Sequence, residues 1–112
     1  MAGAVNDMSI ARYKQQPTDT RKRGVDFTLF CEPGEVITGI VVTPIAPVTT
    51  PPLVVTNVLI DPATGQRFSY TVSGGVDGIE YVVQFEVTFN TLQDTTETAI
   101  FTIALFEEAQ FP

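Results

Sequence analysis

The segment "SGGVDGIEYVVQFEVTF", residues 73–89, joins a glycine-rich turn to the longest alternating stretch of the chain. From Ile79 to Phe89 every second residue is apolar, and the residues between them are mostly polar. This alternation is typical of a β-strand that buries one face and exposes the other. The segment therefore predicts a long antiparallel strand that begins directly after a tight turn.

The glycine cluster itself favours a structural turn over a phosphate-binding loop. A phosphate loop carries a lysine after its last glycine and continues into a helix, whose first amides contact the anion. Here a strand follows Gly78, no lysine is present, and Asp77 would repel a phosphate. We interpret the cluster as a corner that leads into the strand. Its residues are Gly74, Gly75, Asp77, Gly78 and Tyr81.

The corner resembles one found in immunoglobulin-like sandwiches. Asp77 precedes Tyr81 by four residues at the start of the strand. In a tyrosine corner the phenol bonds to backbone a few residues upstream. Antibody domains carry a cysteine two residues after this tyrosine, where this chain has Val83, and the chain contains no tryptophan. The similarity implies an immunoglobulin-like fold without its disulfide, and a fold alone does not define a function.

Five further segments have the composition of β-strands. We expect them at residues 25–31, 36–43, 53–60, 67–73 and 98–106, separated by turns rich in proline, glycine and polar residues. The first would place Leu29 on its inner face, and the last would place Leu105 inward and Ile100 and Phe106 outward. These patterns predict an all-β, immunoglobulin-like antiparallel β-sandwich of about six to seven strands with an extended N-terminal arm.

The charges divide the chain at Gly24. The first 23 residues hold five of the six basic residues and carry about +3, whereas residues 24–112 carry about −10. We expect residues 1–23 to form a basic arm, ordered only against a partner or otherwise a solvated tail, and residues 24–112 to form one domain. The acidic domain argues against nucleic acid as a partner. The candidate docking residues are Arg12, Tyr13, Lys14, Pro17, Arg21, Lys22 and Arg23.

Apolar residues on the outer side of the last strand indicate a second contact surface. Ile100 and Phe106 would lie outside the core, and Phe111 follows beyond the strand. An apolar outer face marks an interface, unless the inner face of the strand has been assigned wrongly.

The composition argues against an enzyme. With no histidine and one cysteine, Cys31, the chain lacks the residues of a Ser-His-Asp triad, a Cys-His dyad or a His/Cys zinc site. Acidic residues near loop ends follow no calcium-loop spacing. The N-terminus has no apolar core of a secretory signal, and no apolar run is long enough to span a membrane. We expect no catalytic residues, cofactor, metal or membrane partner, and synthesis in a cytoplasm.

Four motifs follow one another in an order that resembles a known family. They are "KQQPTD" at residues 14–19, "VDF" at 25–27, "SGGVDGIEYVV" at 73–83 and "AIFTIAL" at 99–105. This order resembles short virion proteins of tailed bacteriophages that have one immunoglobulin-like domain and are called fiber-tail adaptors. The matching positions are Lys14, Pro17, Asp19, Asp26, Phe27, Ser73, Gly74, Gly75, Asp77, Gly78 and Tyr81.

The resemblance implies a structural virion protein that attaches tail fibers to the tail of a short-tailed phage. Its partners would be the tail tube or adaptor ring and the tail fiber, with several copies in a symmetric assembly. The proline-rich segment 44–52 and the ending "LFEEAQFP" differ from the family pattern and leave the partner open. The alternatives are a capsid decoration or head-tail joining protein, or a carbohydrate- or cell-surface-binding module. Such a module would need exposed aromatic rings, and Tyr13 is the one aromatic residue that clearly precedes the strands.

Overall fold

The computed structural model describes residues 10–105, and this part of the chain is all-β, as predicted. Among these residues there is no helix of the length and apolarity that a membrane span requires. The seven strands are β1 (Ile10–Gln15), β2 (Thr20–Asp26), β3 (Ile37–Val42), β4 (Leu53–Ile60), β5 (Arg67–Gly74), β6 (Glu80–Phe89) and β7 (Asp94–Ile103).

The strands form two sheets that pack as a sandwich. One sheet has four strands in the order β1-β7-β6-β3, and the other has three in the order β2-β5-β4. The pairs are antiparallel except that β1 runs parallel to β7. β2, β5 and β4 take the positions of immunoglobulin strands B, E and D, while β3, β6 and β7 take those of C, F and G. The predicted immunoglobulin-like sandwich is confirmed.

The core lies between the sheets and follows the alternation of the sequence. Every second residue of β6 from Tyr81 to Phe89 is buried, and the residues between them face outward. Aromatic rings from both sheets meet in the centre, where the centroids of Tyr70 and Phe85 are 4.6 Å apart. Burial of each large apolar side chain contributes about 1.5–3 kcal/mol. β5 of the opposite sheet and β7 beside β6 add further residues to this core: Phe68, Val72, Ala99, Phe101 and Ile103.

Two inner-face assignments were wrong, because each strand ends earlier than predicted. β2 ends at Asp26, whose carboxylate accepts hydrogen bonds from the Thr28 amide and hydroxyl at 2.8 and 2.5 Å. This local turn competes with the strand, and Leu29 beyond it is fully exposed. β7 ends at Ile103, and Leu105 is also exposed.

Residues 10–23 are not a separate arm. β1 lies along β7 from Ile10 opposite Thr98 to Gln15 opposite Ile103, and β2 lies along β5. Both are short edge strands rich in charge, alternating in β1 and consecutive at residues 21–23 of β2, and their sequence therefore resembles a polar tail. For residues 1–9, which lie outside the described part of the chain, the arm stays a prediction.

The turn between β1 and β2 explains the motif "KQQPTD". The Gln16 amide donates to the Asp19 carboxylate at 3.0 Å, and the Asp19 amide donates to the Gln16 carbonyl at 2.9 Å. Pro17 stands at the second position of this turn, where its fixed φ is favoured. The turn carries the chain from the edge of one sheet to the edge of the other.

A cluster of three side chains, Tyr13, Gln15 and Arg23, closes this side of the sandwich. Gln15 is fully buried; its amide donates to the Val72 carbonyl at 3.3 Å and accepts from the Arg23 guanidinium at 3.2 Å. The guanidinium lies 4.3 Å from the centre of the Tyr13 ring, which stacks on Phe101 at 5.2 Å. We call these three residues the closing cluster, because they join β1 to β2 and β5 of the opposite sheet.

Removing residues 1–23 should therefore unfold the protein. The truncation deletes β1 and the first four residues of β2, exposing Phe101 and leaving residues 70–73 of β5 without a neighbour on one side. Circular dichroism and urea denaturation would check this, with a chain that starts at Ile10 and keeps all seven strands as the control. A folded spectrum and an unchanged midpoint for the 24–112 chain would contradict it.

Candidate functional site

The predicted corner, residues 74–81, is a structural centre at one end of the sandwich. The Tyr81 hydroxyl is buried, accepts a hydrogen bond from the Val76 amide at 2.8 Å and shares another with the Thr49 hydroxyl at 2.7 Å. The bond to Val76 is the backbone contact that a tyrosine corner requires. The Thr49 bond also fixes the proline-rich segment, so one phenol holds two connections in place.

Glycines are required at this corner by backbone geometry and close packing. Gly74 and Gly75 have φ values of 80° and 93°, which residues other than glycine rarely adopt. A Cβ atom on Gly74 would lie 2.6 Å from the Pro52 carbonyl oxygen, and one on Gly75 would press on Ile103 and Tyr81. Asp77 accepts a hydrogen bond from the Leu105 amide at 3.1 Å, and the Gly78 amide donates to the Ile103 carbonyl at 2.7 Å. The glycine-rich corner therefore anchors the end of β7.

The predicted docking residues separate into an inward and an outward group. Tyr13 and Arg23 belong to the closing cluster, and Pro17 shapes the turn. The remaining four cations are exposed on β1 and β2, which form adjacent edges of the two sheets. We call these four, Arg12, Lys14, Arg21 and Lys22, the basic edge.

The charges of the basic edge affect the fold itself, through one ion pair and through the protection of two edge strands. Arg21 lies 3.7 Å from Asp19, and no ion pair is formed by the other three cations within residues 10–105. Cationic side chains on edge strands hinder unwanted pairing with other strands. The same exposed charges attract acidic partners over several ångströms.

One residue of the predicted apolar surface lies in the described structure. Ile100 is half-buried on the outer face of the four-stranded sheet, beside Val82 of β6. Phe106 and Phe111 lie outside the described residues, so their contact role stays a prediction.

A second apolar surface, which the sequence pattern does not predict, is formed by two loops at the end of the sandwich opposite the corner. Leu29 and Phe30 lie in the loop after β2, and Leu92 lies in the turn after β6, with exposed fractions of 102%, 43% and 85%. Leu92 also has a φ of 65°, a left-handed conformation that is unfavourable for leucine. We call these three residues the apolar tip. Strain and exposure at one position mark a candidate contact site.

The apolar tip is held rigidly by polar contacts between its two loops. The buried Glu35 carboxylate accepts hydrogen bonds from the Glu32 amide at 2.9 Å and from the Thr91 hydroxyl. Asn90 accepts from the Val36 amide and donates to the Gly34 carbonyl, both at 3.1 Å. The bonds from Thr91 and Glu32 stabilise the ionised form and lower the pKa of Glu35.

The charges around the apolar tip are opposite to those of the basic edge. Asp26, Glu32 and Asp94 are exposed near the tip. The cation at this end, Arg67, is engaged with Asp61 at 2.6 Å. A partner that covers the tip would therefore combine an apolar contact with a basic rim.

These features define the class of the protein: an immunoglobulin-like domain whose distinguishing chemistry lies on exposed edges and loops, as in structural and binding proteins. The model of the family described as "Podophage GP4 fiber-tail adaptor protein gp77" matches residues 15–103. Because the match covers most of the chain, the protein belongs to this family, and the predicted resemblance is confirmed. Comparison with curated proteins gives no match.

Replacing Tyr81 by Phe should lower the free energy of unfolding by about 1–3 kcal/mol, since the Val76 amide loses its acceptor and the Thr49 hydroxyl keeps only its bond to the Pro51 carbonyl. Urea denaturation would measure the loss. Thr49→Val is the comparison variant: it keeps the Val76 bond, removes the Thr49 bonds to Tyr81 and to the Pro51 carbonyl, and should cost about 0.5–1.5 kcal/mol for each bond lost. Equal midpoints for native protein and Tyr81→Phe would show that the corner bond contributes nothing.

Glu35 should make the stability depend on pH. Because its folded pKa is lowered, its contribution is present above the unfolded pKa of about 4.3 and is lost as the pH falls through the folded value. Glu35→Gln should be less stable than the native protein at pH 7, and the difference should shrink between about pH 5 and pH 3. Denaturation series across this range would check it, with the exposed Glu86→Gln as control. A difference that is constant with pH would contradict the assignment.

Proposed function

We propose that this protein is the adaptor that attaches tail fibers to the tail of a short-tailed phage. The observation that carries the proposal is the family match over residues 15–103, which makes the protein a phage structural adaptor. The fold supports it, because an immunoglobulin-like sandwich offers a rigid body with loops and edges free for contacts. The role is mechanical, and no catalytic step enters it.

An adaptor needs two surfaces that hold different partners at the same time. The basic edge and the apolar tip have different chemistry, one with exposed cations and the other with three apolar side chains among carboxylates. The basic edge suits an acidic partner, and the tip suits an apolar surface with a basic rim. We assign one of these partners to the tail tube or adaptor ring and the other to the tail fiber.

Rigidity of both surfaces favours tight attachment. The closing cluster fixes the strands of the basic edge, and Glu35 and Asn90 fix the loops of the tip. A contact surface that is ordered before binding loses less conformational entropy when the partner docks. Several copies, made in the host cytoplasm and arranged around the symmetric tail of the virion, would then act together without contacting nucleic acid or membrane.

Purified virions should contain the protein in stoichiometric amounts by mass spectrometry, and isolated tails should retain it. Its absence from mature particles would overturn the adaptor role. Recovery with emptied heads and not with tails would favour capsid decoration or head-tail joining.

The double variant Leu29→Asn and Leu92→Asn should reduce the number of fiber-bearing particles at least tenfold while the isolated domain stays folded. Asparagine tolerates the left-handed backbone of Leu92, so the exchange removes apolar contact area and not stability. Electron microscopy of particles and thermal melting of the protein would measure the two effects. Leu59→Asn, at a similarly exposed site on β4, is the matched control. Normal fiber attachment by the double variant would exclude the tip as a docking surface.

A further inference from the structure

The outer face of the four-stranded sheet has a charge pattern that complements itself. Register partners lie side by side with their side chains on one face, so Lys14 of β1, Thr102 of β7 and Glu80 of β6 form one row. The adjacent row contains Arg12, Ile100 and Val82. In these two rows the face is therefore basic on β1, neutral on β7 and acidic on β6.

The charges of this face are not used within one copy. The ion pairs of residues 10–105 join Arg21 to Asp19 and Arg67 to Asp61, and neither includes Lys14 or Glu80. Val82, with 37% of its surface exposed, adds apolar area beside Ile100. A flat face with an apolar centre and opposite charges on its two sides is suited to an identical face.

We propose that two copies of the protein pair face to face through this sheet, about a two-fold axis that runs along β7. Rotation about this axis leaves each row of residues at the same height along the strands and exchanges the β1 side of the sheet with the β6 side. β1 and β6 are each one strand spacing, about 4.8 Å, from β7. Lys14 of each copy therefore meets Glu80 of the other, and the two Ile100 side chains meet at the axis, between sheets about 10 Å apart.

The same charges disfavour the other two-fold arrangement. An axis across the strands would place β1 over β1 and bring the cations of both copies together. Like charges at an interface oppose association, so the pattern selects the axis along β7. In that arrangement the aliphatic part of Arg12 covers Val82 of the second copy, in the row next to the Lys14 and Glu80 pair.

The contact is small. Only β1, β7 and β6 overlap across the axis, and three strands by about six residues give roughly 300 Å² per copy, below the roughly 800 Å² per partner of a stable interface. We expect weak pairing of the free protein, strengthened where copies are held close together. Its role in the particle rests on the proposed function, but the pairing is a property of the isolated protein.

Charge exchange tests the pairing. In sedimentation equilibrium up to about 1 mM protein, Lys14→Glu or Glu80→Lys alone should raise the dimer dissociation constant roughly tenfold, because each puts like charges opposite each other twice. The two substitutions together should restore the native value. Thr56→Glu, exposed on the outer face of the other sheet, is the control and should change little. Equal weakening by the single and double variants, or no association of the native protein, would overturn the proposal.

Crosslinking tests the position of the axis independently. In a Cys31→Ser background, Ile100→Cys should form dimers with a bismaleimide whose spacer is about 8–10 Å, and Leu59→Cys on the opposite sheet should not. Comparable yields at both sites would contradict the axis. Pairing in solution by a protein absent from virions would leave this inference intact and remove the adaptor role, so the two failures are distinguishable.

Discussion

The closing cluster holds β1 and β2 against each other and against β5 at the edges of both sheets. Arg23 lies over the Tyr13 ring and donates to the buried Gln15, which donates in turn to the opposite sheet. The Arg23 Nε atom is buried without a hydrogen-bond partner within residues 10–105. A buried polar atom without a partner lowers the free energy of unfolding by about 1–3 kcal/mol. The cation–π contact between Arg23 and Tyr13, worth about 0.5–2 kcal/mol, partly offsets this cost. Burial raises the pKa of Tyr70, which lies beside this cluster, and the neighbouring Tyr13 raises it further.

This arrangement makes the basic segment part of the domain. Because β1 and β2 are fixed at the edges of both sheets, the four exposed cations have defined positions. The turn at Gln16–Asp19 and the Tyr81 corner lie at the same end of the sandwich, and both belong to motifs that carry the family resemblance. Those motifs thus specify the fold. The apolar tip, formed by Leu29, Phe30 and Leu92, lies on residues outside these motifs.

The sequence was sufficient for the elements whose pattern is local. Alternation from Tyr81 to Phe89 predicted β6 and its buried face, and the turn chemistry around Gly78 predicted the corner. It was insufficient for β1, because a short edge strand with Arg12 and Lys14 outward has the composition of a tail. Which side of β1 faces inward is decided by its parallel pairing with β7, a long-range contact.

The candidate surfaces show the same division. Exposed cations could be predicted from charge alone, but the inward position of Tyr13 and Arg23 could not. The apolar tip depends on two loops that are distant in sequence and meet through Glu35 and Thr91. Leu29 was placed inward because the Asp26 turn that ends β2 was not recognised.

Native-state hydrogen exchange distinguishes a structural β1 strand, residues 10–15, from a detachable segment. The Ala104 amide, which donates to the Gln15 carbonyl at 3.0 Å, and the β1 amides bonded to β7 should exchange as slowly as amides within β7. Rapid exchange of these amides, with β6 and β7 still protected, would show that the basic segment is a detachable arm and would contradict the account.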